Sequence, residues 1–228
     1  MKVIGIIGGV SWESSAEYYR LINQKVKERL GGLHSAELIL YSLDFELISQ
    51  WEHEGQWDQI ASCILETSQK LQSAGADFIL IASNTLHKIV PEIESRLSIP
   101  IVHIADAVAK TIQEAEISTV ALLGTRFVME ESFYKERLEK AGIDILILSQ
   151  EAREFIHNMI YHELARGEIR ASSKEKMVEI IEEMISMGAE GIVLANTELP
   201  LIVSPEELKY PIFDSMKIHI GKAMDLAL

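Results

Sequence analysis

The sequence predicts an α/β fold of two pseudo-symmetric, doubly wound halves, each with a parallel sheet, and an interdomain cleft. Short apolar runs rich in β-branched residues alternate with longer stretches of helical period. These runs are apolar throughout, which is typical of parallel strands covered by helices on both faces. Two segments also recur farther along the chain, which indicates that the halves share one architecture.

The strands and helices follow from these patterns in chain order. Strands are predicted at Val3–Ile7, Leu38–Leu43, Phe78–Ala82, Ile101–Ile104, Val120–Leu123, Ile143–Leu148 and Ile192–Leu194. Helices are predicted over about Glu13–Leu30, Asp58–Ala74, Ser172–Gly188 and Ser215–Leu228. Ser14 with Glu17, and Ser172 with Glu175, have the spacing of a capping box at a helix start.

The internal repeat divides the chain. Gly75–Thr85 has a counterpart 113 residues later in Gly188–Glu198, and both run from a helix-ending glycine through a strand into a polar turn. Val3–Gly8 has a similar counterpart 116 residues later in Thr119–Gly124. We therefore predict a first half of residues 1–103 with about 211–228, and a second half of residues 104–210.

Composition excludes several classes of function. The 228 residues carry a net charge of −14, which disfavours binding to nucleic acid or to an anionic membrane surface. The single cysteine, Cys63, rules out an intrachain disulfide and a Cys-rich zinc site, and we expect it to be a buried thiol. The short apolar run after Met1 is too brief for a signal peptide, and no 18-residue apolar run occurs. A cytoplasmic location is expected.

Three polar turns follow predicted strands and are the expected ligand site. They are Gly8–Ser14, Ser83–His87 and Asn196–Glu198. Ligands of parallel sheets bind beyond the carboxyl ends of the strands. A helix that begins at such a turn directs backbone N–H groups at a bound carboxylate, so an anion can be held without net positive charge.

Common catalytic signatures do not match. The spacing of Gly5, Gly8 and Gly9 differs from a dinucleotide fingerprint, and Glu13 stands where a nucleophile elbow after Ser11 needs glycine. His87, His103 and Asp106 match no standard spacing of metal ligands, so no metal is predicted.

Several separated motifs resemble the aspartate/glutamate racemase family, in particular the branch of L-aspartate/glutamate-specific racemases. They are Ile4–Ser14 with its Gly-Gly-Val-Ser-Trp-Glu-Ser ending, Gly31–Ala36, His103–Ala107, Ala121–Arg126 and Asn196–Glu198. The resemblance extends from residue 1 to the C-terminus. It implies cofactor-independent inversion at the Cα of an acidic amino acid held between two α/β halves, and it implies a homodimer.

The resemblance also assigns the site residues. The family's two catalytic cysteines correspond to Ser83 and Asn196, so both thiols are replaced. A serine hydroxyl is a much weaker acid than a thiol, and an asparagine amide has no proton to titrate. The expected substrate-binding positions are Val10, Glu52, Asn84, Thr85, Thr197 and Glu198. A carboxylate at Glu52 would repel an acidic substrate.

Several alternatives remain open at this level. Ser83 and Asn196 are also residue types that favour helix N-caps. His87 is either an alternative base or a turn histidine with a structural hydrogen bond. The protein is either a racemase of small amino or dicarboxylic acids, a catalytically silent small-acid-binding homologue, or a lyase or isomerase of another carboxylate.

Overall fold

A parallel sheet lies at the centre of each of two structural units. The computed structural model describes residues 1–203 and 208–228. One unit comprises Met1–His103 with His219–Leu228, and the other comprises Ile104–Ile218. All paired strands in both sheets are parallel, which confirms the α/β class predicted from the apolar strands.

The first unit has a three-stranded sheet. Its strands are β1 (Ile4–Gly8), β2 (Leu38–Ser42) and β3 (Phe78–Ile81), in the order β2-β1-β3. Its longer helices are α1 (Trp12–Leu30), α2 (Phe45–Glu54) and α3 (Trp57–Ser73). A 3-10 turn (Thr85–Ile89), the short helix α4 (Val90–Ile93) and a second 3-10 turn (Glu94–Arg96) follow β3.

Helices of this unit bury one face each. Tyr18, Ile22 and Val26 of α1 are fully buried at helical spacing. Ile60 and Ile64 of α3 pack in one apolar cluster with Ile79 and Ile81 of β3. Burying an isoleucine side chain of this kind contributes roughly 1.5–3 kcal/mol, so this packing is a main source of stability for the sheet.

The second unit has a four-stranded sheet. Its strands are β4 (Thr119–Gly124), β5 (Asp144–Leu146), β6 (Gly191–Ala195) and β7 (Ile212–Asp214), in the order β5-β4-β6-β7. Its helices are α5 (Ile104–Glu114), α6 (Arg126–Glu130), α7 (Ser132–Lys140), α8 (Gln150–His162), α9 (Ala171–Ser186) and α10 (Leu199–Ile202), with a 3-10 turn at Leu164–Arg166. The chain ends in α11 (Ser215–Ala227), within which the division between the units falls.

The two sheets share one connectivity. In each, the second strand lies on one side of the first and the third lies on the other, giving β2-β1-β3 and β5-β4-β6. The strands that carry the sequence repeat therefore hold equivalent places: β1 corresponds to β4, and β3 to β6. The internal repeat corresponds to repeated topology.

The segment Ile101–Ile104 is not a strand, contrary to the prediction. It forms a single parallel bridge, Ile79 opposite Ile101, and the amide of Val102 donates to the carbonyl of Ile79 at 2.9 Å. Helix α5 begins at Ile104, so the extended backbone is too short for a ladder. β-branched residues alone indicated a strand here, and the helix start overrode that preference.

The predicted capping boxes are also wrong. Ser11 caps α1, because its Oγ accepts from the amide of Ser14 at 3.3 Å. Helix α9 begins at Ala171 without a side-chain cap, while the neighbouring Ser173 donates its hydroxyl to Glu163 Oε2 at 2.7 Å.

The end of the chain divides differently from the prediction, which placed residues 211–228 in the first half. Residues 212–214 form β7, and Ile212 pairs with Ile192 of β6. The hydrogen bonds of this strand join it to the second sheet, and the second unit accordingly extends to Ile218. In the described parts of the chain, no helix has the length and apolar content needed to cross a bilayer.

Candidate functional site

Ser83–His87, the Ser83 turn, leaves the first sheet at the carboxyl end of β3. Its members Ser83, Asn84, Thr85 and His87 are all buried. The Oγ of Ser83 accepts from the amide of Leu86 at 3.4 Å. The amide of His87 donates to the carbonyl of Asn84 at 3.2 Å, which gives the turn its 3-10 form. Ser83 therefore has a structural hydrogen bond within its own turn.

The turn after β1, Gly8–Ser14, lies at the same sheet edge. β1 and β3 are neighbours with Ile7 opposite Ile81, so both strands deliver their following turns to one edge. The amide of Gly9 donates to Ser15 Oγ at 2.7 Å. Val10, a predicted substrate-binding residue, is buried in the apolar cluster that also contains Leu86 of the Ser83 turn.

Glu52 lies on the inward face of α2. It follows Ile48 by one helical turn, and Ile48 packs in the same apolar cluster as Val10. Only 3% of Glu52 is exposed. A buried carboxylate is costly unless other groups compensate its charge, so this glutamate is an unusual member of an apolar helix face.

Asn196–Glu198, the Asn196 turn, leaves the second sheet at the carboxyl end of β6. Asn196 Oδ1 accepts from the amides of Glu198 at 3.0 Å and Leu199 at 3.1 Å. The hydroxyl of Thr197 donates to Glu198 Oε2 at 2.8 Å. All three turn residues are buried. The asparagine carbonyl thus organises the start of α10, which is a structural role, while its amide N–H groups are donors by chemistry.

Two residues at this edge of the second sheet were not predicted as site residues. Thr125 follows β4, which pairs with β6, and its Oγ1 accepts from the amide of Val128 at 3.4 Å. The amide of Arg126 donates to Nδ1 of buried His157 on α8 at 3.3 Å. Thr125 could have been found from the repeat, since it lies 116 residues after Gly9. His157 offered no such signal.

A buried histidine cluster lies beside the Ser83 turn in the first unit. The rings of His87 and His103 are 4.6 Å apart between centroids, and those of His87 and His219 are 5.7 Å apart. Nε2 of His219 donates to the carbonyl of Val102 at 2.8 Å, and its Nδ1 accepts from the hydroxyl of Tyr18 at 2.9 Å. Burial is the main cause that lowers the pKa of His219 to about 3, and the nearby His87 lowers it further.

The one cysteine of the chain lies outside both polar turns. Cys63 on α3 is half-buried rather than fully buried, and desolvation raises the pKa of its thiol. Across residues 1–203 and 208–228, no three or more His, Cys, Asp or Glu side chains are grouped to hold a metal ion.

The chemistry available at the two turns is hydrogen bonding rather than proton abstraction by a thiol. The Ser83 turn brings Ser83, Asn84 and Thr85 to one sheet edge, and the Asn196 turn brings Asn196, Thr197 and Glu198 to another. Hydroxyl, amide and carboxylate groups of this kind can orient a carboxylate and an ammonium group.

Comparison with known proteins gives a consistent assignment. The family model for Asp/Glu/hydantoin racemases matches residues 7–223. The broad specificity amino-acid racemase RacX of Bacillus subtilis (strain 168) is 23% identical over 93% of this chain and 92% of its own length. A candidate Asp/Glu racemase from Yersinia pestis is 42% identical with a TM-score of 0.92, covering 100% of this chain and 99% of that one.

Like the Yersinia pestis protein, whose crystal structure is known, a second protein of known crystal structure is similar to this chain over its whole length. An aspartate racemase homologue from Pyrococcus horikoshii OT3 is 35% identical with a TM-score of 0.86, again covering 100% of this chain and 99% of the other. The similarity therefore extends over the whole fold and over both polar turns. The chain belongs to the Asp/Glu/hydantoin racemase family.

Proposed function

We propose that this protein binds a small amino acid or dicarboxylic acid, and that it racemises such an acid poorly. The observation that carries the proposal is the chemistry of residues 83 and 196. Both are buried polar side chains that follow the carboxyl end of a strand, and both accept backbone hydrogen bonds within their turns. Neither provides a thiol.

Acid binding is supported by the polar groups of the turns. Asn84 and Thr85 in one turn, and Thr197 and Glu198 in the other, are buried donors and acceptors at the carboxyl ends of parallel strands. Buried polar groups at such an edge are an ordinary means of fixing a small ligand. Glu198 supplies a carboxylate for an ammonium group, and the hydroxyls and amides suit a carboxylate. A racemase of broad specificity among the relatives supports an amino acid as the ligand.

Poor racemisation follows from the acid–base requirements of inversion. One group must remove the Cα proton, and another must return a proton on the opposite face. A thiol with a pKa near 8.5 can do this, whereas a serine hydroxyl needs its own base and an asparagine amide does not titrate. Turnover would need a base beside Ser83, because the hydroxyl alone is too weak an acid to exchange the Cα proton.

Glu52 bears on which acid is bound. Glu52 is buried on the inward face of α2, and an ionised carboxylate at that position would disfavour a second negative charge nearby. We therefore expect amino acids with neutral or basic side chains to compete well with aspartate and glutamate.

A cytoplasmic location and a homodimer, both expected from the sequence, remain part of the proposal.

The first test is α-proton exchange in heavy water. Each enantiomer of aspartate, glutamate, alanine and lysine is incubated with the wild-type protein and with the double variant Ser83→Cys with Asn196→Cys. Because positioned acid–base groups contribute about 10²–10⁴-fold, we expect the double variant to exceed wild type by at least about a hundredfold. The double variant Ser83→Ala with Asn196→Ala is the matched control and should remain at the wild-type rate or below it.

Binding is measured separately by thermal shift with the same acids and succinate, because a ligand of the native state raises the melting temperature. Rapid exchange by the wild-type protein would show that the claim of poor racemisation is wrong. If no acid shifts the melting temperature and the cysteine variant exchanges nothing, the proposed ligand class is wrong.

A further inference from the structure

His87 holds the backbone of the Ser83 turn from within the first unit. Its ring Nδ1 donates to the carbonyl oxygen of Ser83 at 2.7 Å, and the ring is fully buried. In an α-helix that carbonyl would accept from the amide four residues on, which is the amide of His87 itself. Here the His87 amide bonds to the carbonyl of Asn84 instead, as in a 3-10 turn. The imidazole takes the place of the missing amide donor.

The ring that makes this bond is fixed by its neighbours. His103 and His219 contact it edge-on, with interplanar angles of 62° and 73°. His219 is itself held at both nitrogens, by the carbonyl of Val102 and by the hydroxyl of Tyr18. These partners come from α1, from the segment before α5 and from α11. A side chain packed in this way cannot change its rotamer without disturbing several buried groups.

The same geometry argues against His87 as the base that activates Ser83. The Nδ1 proton points to the backbone carbonyl of Ser83, while the Ser83 hydroxyl oxygen accepts from the amide of Leu86. The histidine therefore acts on the serine through the main chain. Of the two roles that the sequence left open, this hydrogen bond favours the structural one.

We propose that His87 is a positioning residue: its Nδ1–H holds the Ser83 carbonyl and thereby sets the backbone of residues 83–85 for the bound acid. This inference rests on the proposed function for its consequence in binding. The effect on the turn itself does not depend on any ligand. The effect of His87 on the turn and its effect on acid binding can therefore be tested separately.

The test compares three substitutions at one position. Asn places an amide N–H where Nδ1 lies, Gln places it near the position of Nε2, and Leu has comparable bulk without a donor. Amide hydrogen exchange of residues 84–87 is measured in His87→Asn, His87→Gln and His87→Leu without ligand. We expect exchange about tenfold faster in the Leu and Gln variants and near wild type in the Asn variant. Exchange of β1 amides is the internal control for global unfolding.

A measurement on the unaltered protein avoids any dependence on variants that fold poorly. Imidazole ¹⁵N resonances should show a proton on Nδ1 of His87 and on Nε2 of His219. A His87 ring without a proton on Nδ1 would overturn the proposal. So would unchanged exchange of residues 84–87 in the Leu variant.

Binding of L-aspartate and L-alanine, followed by calorimetry, then tests the consequence for the ligand. We expect affinity about tenfold weaker in His87→Leu and restored in His87→Asn. If the turn loosens as expected while the wild-type protein binds no acid, positioning of the turn stands and the proposed function fails. If the wild-type protein binds an acid and the Leu variant binds it equally well, the positioning role in binding is wrong.

Discussion

At the scale of single residues, the replaced cysteine positions have structural roles in their own turns. Asn196 Oδ1 accepts hydrogen bonds from two backbone amides at the start of α10. Ser83 Oγ accepts a hydrogen bond from one backbone amide of its own turn. Sulfur is a weaker acceptor than either oxygen. Introducing cysteines at these positions therefore exchanges hydrogen bonds for a titratable thiol, and some loss of stability should accompany any gain in proton transfer.

The buried His219 should make the stability of the protein depend on pH. Its pKa is about 3 in the folded protein, below the usual 6.5, so the native state binds fewer protons than the unfolded chain between those values. The contribution of His219 to the free energy of unfolding should be fully present above about pH 6.5 and should be lost at about 1 kcal/mol per pH unit as the pH drops toward 3.

Urea unfolding of wild type and His219→Asn between pH 7.5 and 4.5 measures this contribution. The variant should be less stable at high pH, because Tyr18 and Val102 lose a partner, but its stability should vary less with pH. His34→Asn, at an exposed position, is the control and should keep the wild-type slope. Equal slopes in all three proteins would contradict the prediction.

At the scale of elements, local pattern located the strands well and the helix ends less well. β1, β3, β4 and β6 lie within one or two residues of their predicted positions. Their solid apolar runs are buried on both faces, so burial and sequence agree. Caps depend on which hydroxyl reaches an amide in three dimensions, and at α1 that hydroxyl belongs to Ser11 rather than Ser14.

The turn after β1 should not tolerate a side chain at Gly9. Gly9 has φ +86°, and a Cβ there would collide with the backbone of Leu43. Gly9→Ala should therefore lower the free energy of unfolding by more than about 2 kcal/mol, through strain and overlap with rigid main chain.

Gly221→Ala is the matched control for that variant. Gly221 lies in α11, and apart from its chain neighbours and the backbone of its own helix no atom lies within 4 Å of the place that an added methyl group would take. Alanine in a helix is favoured over glycine by about 1 kcal/mol. Chemical denaturation should show the first variant destabilised and the second unchanged or stabilised. Equal effects of the two would contradict the steric argument at Gly9.

At the scale of the whole molecule, charge is the dominant global property. A net charge of −14 disfavours the compact state through self-repulsion, and salt screens that repulsion. Raising NaCl from about 10 to about 200 mM at pH 7.5 should raise the melting temperature by a few degrees.

The control for the salt effect is the same titration near pH 5, close to the isoelectric point of about 4.9. There the net charge is small, and the dependence on NaCl should nearly vanish. A melting temperature that rises equally at both pH values would point to a general effect of salt on the hydrophobic contribution instead.

The sequence by itself determined the α/β class, the places of most strands, the repeat, the polar turns and the family. These features are local or periodic: solid apolar runs, glycines at helix ends and short motifs in fixed order can all be recognised without knowing which segments meet. The substrate-binding and catalytic assignments at residues 10, 52, 83–85 and 196–198 remain proposals.

Only the tertiary structure decided which distant groups come into contact. Tyr18, His87, His103 and His219 stand far apart along the chain, and no spacing rule links them, yet they form one buried cluster. β7 joined the second sheet because its hydrogen-bond partner is β6. Such contacts depend on the path of the chain between the segments, and that path is set by packing over the whole unit.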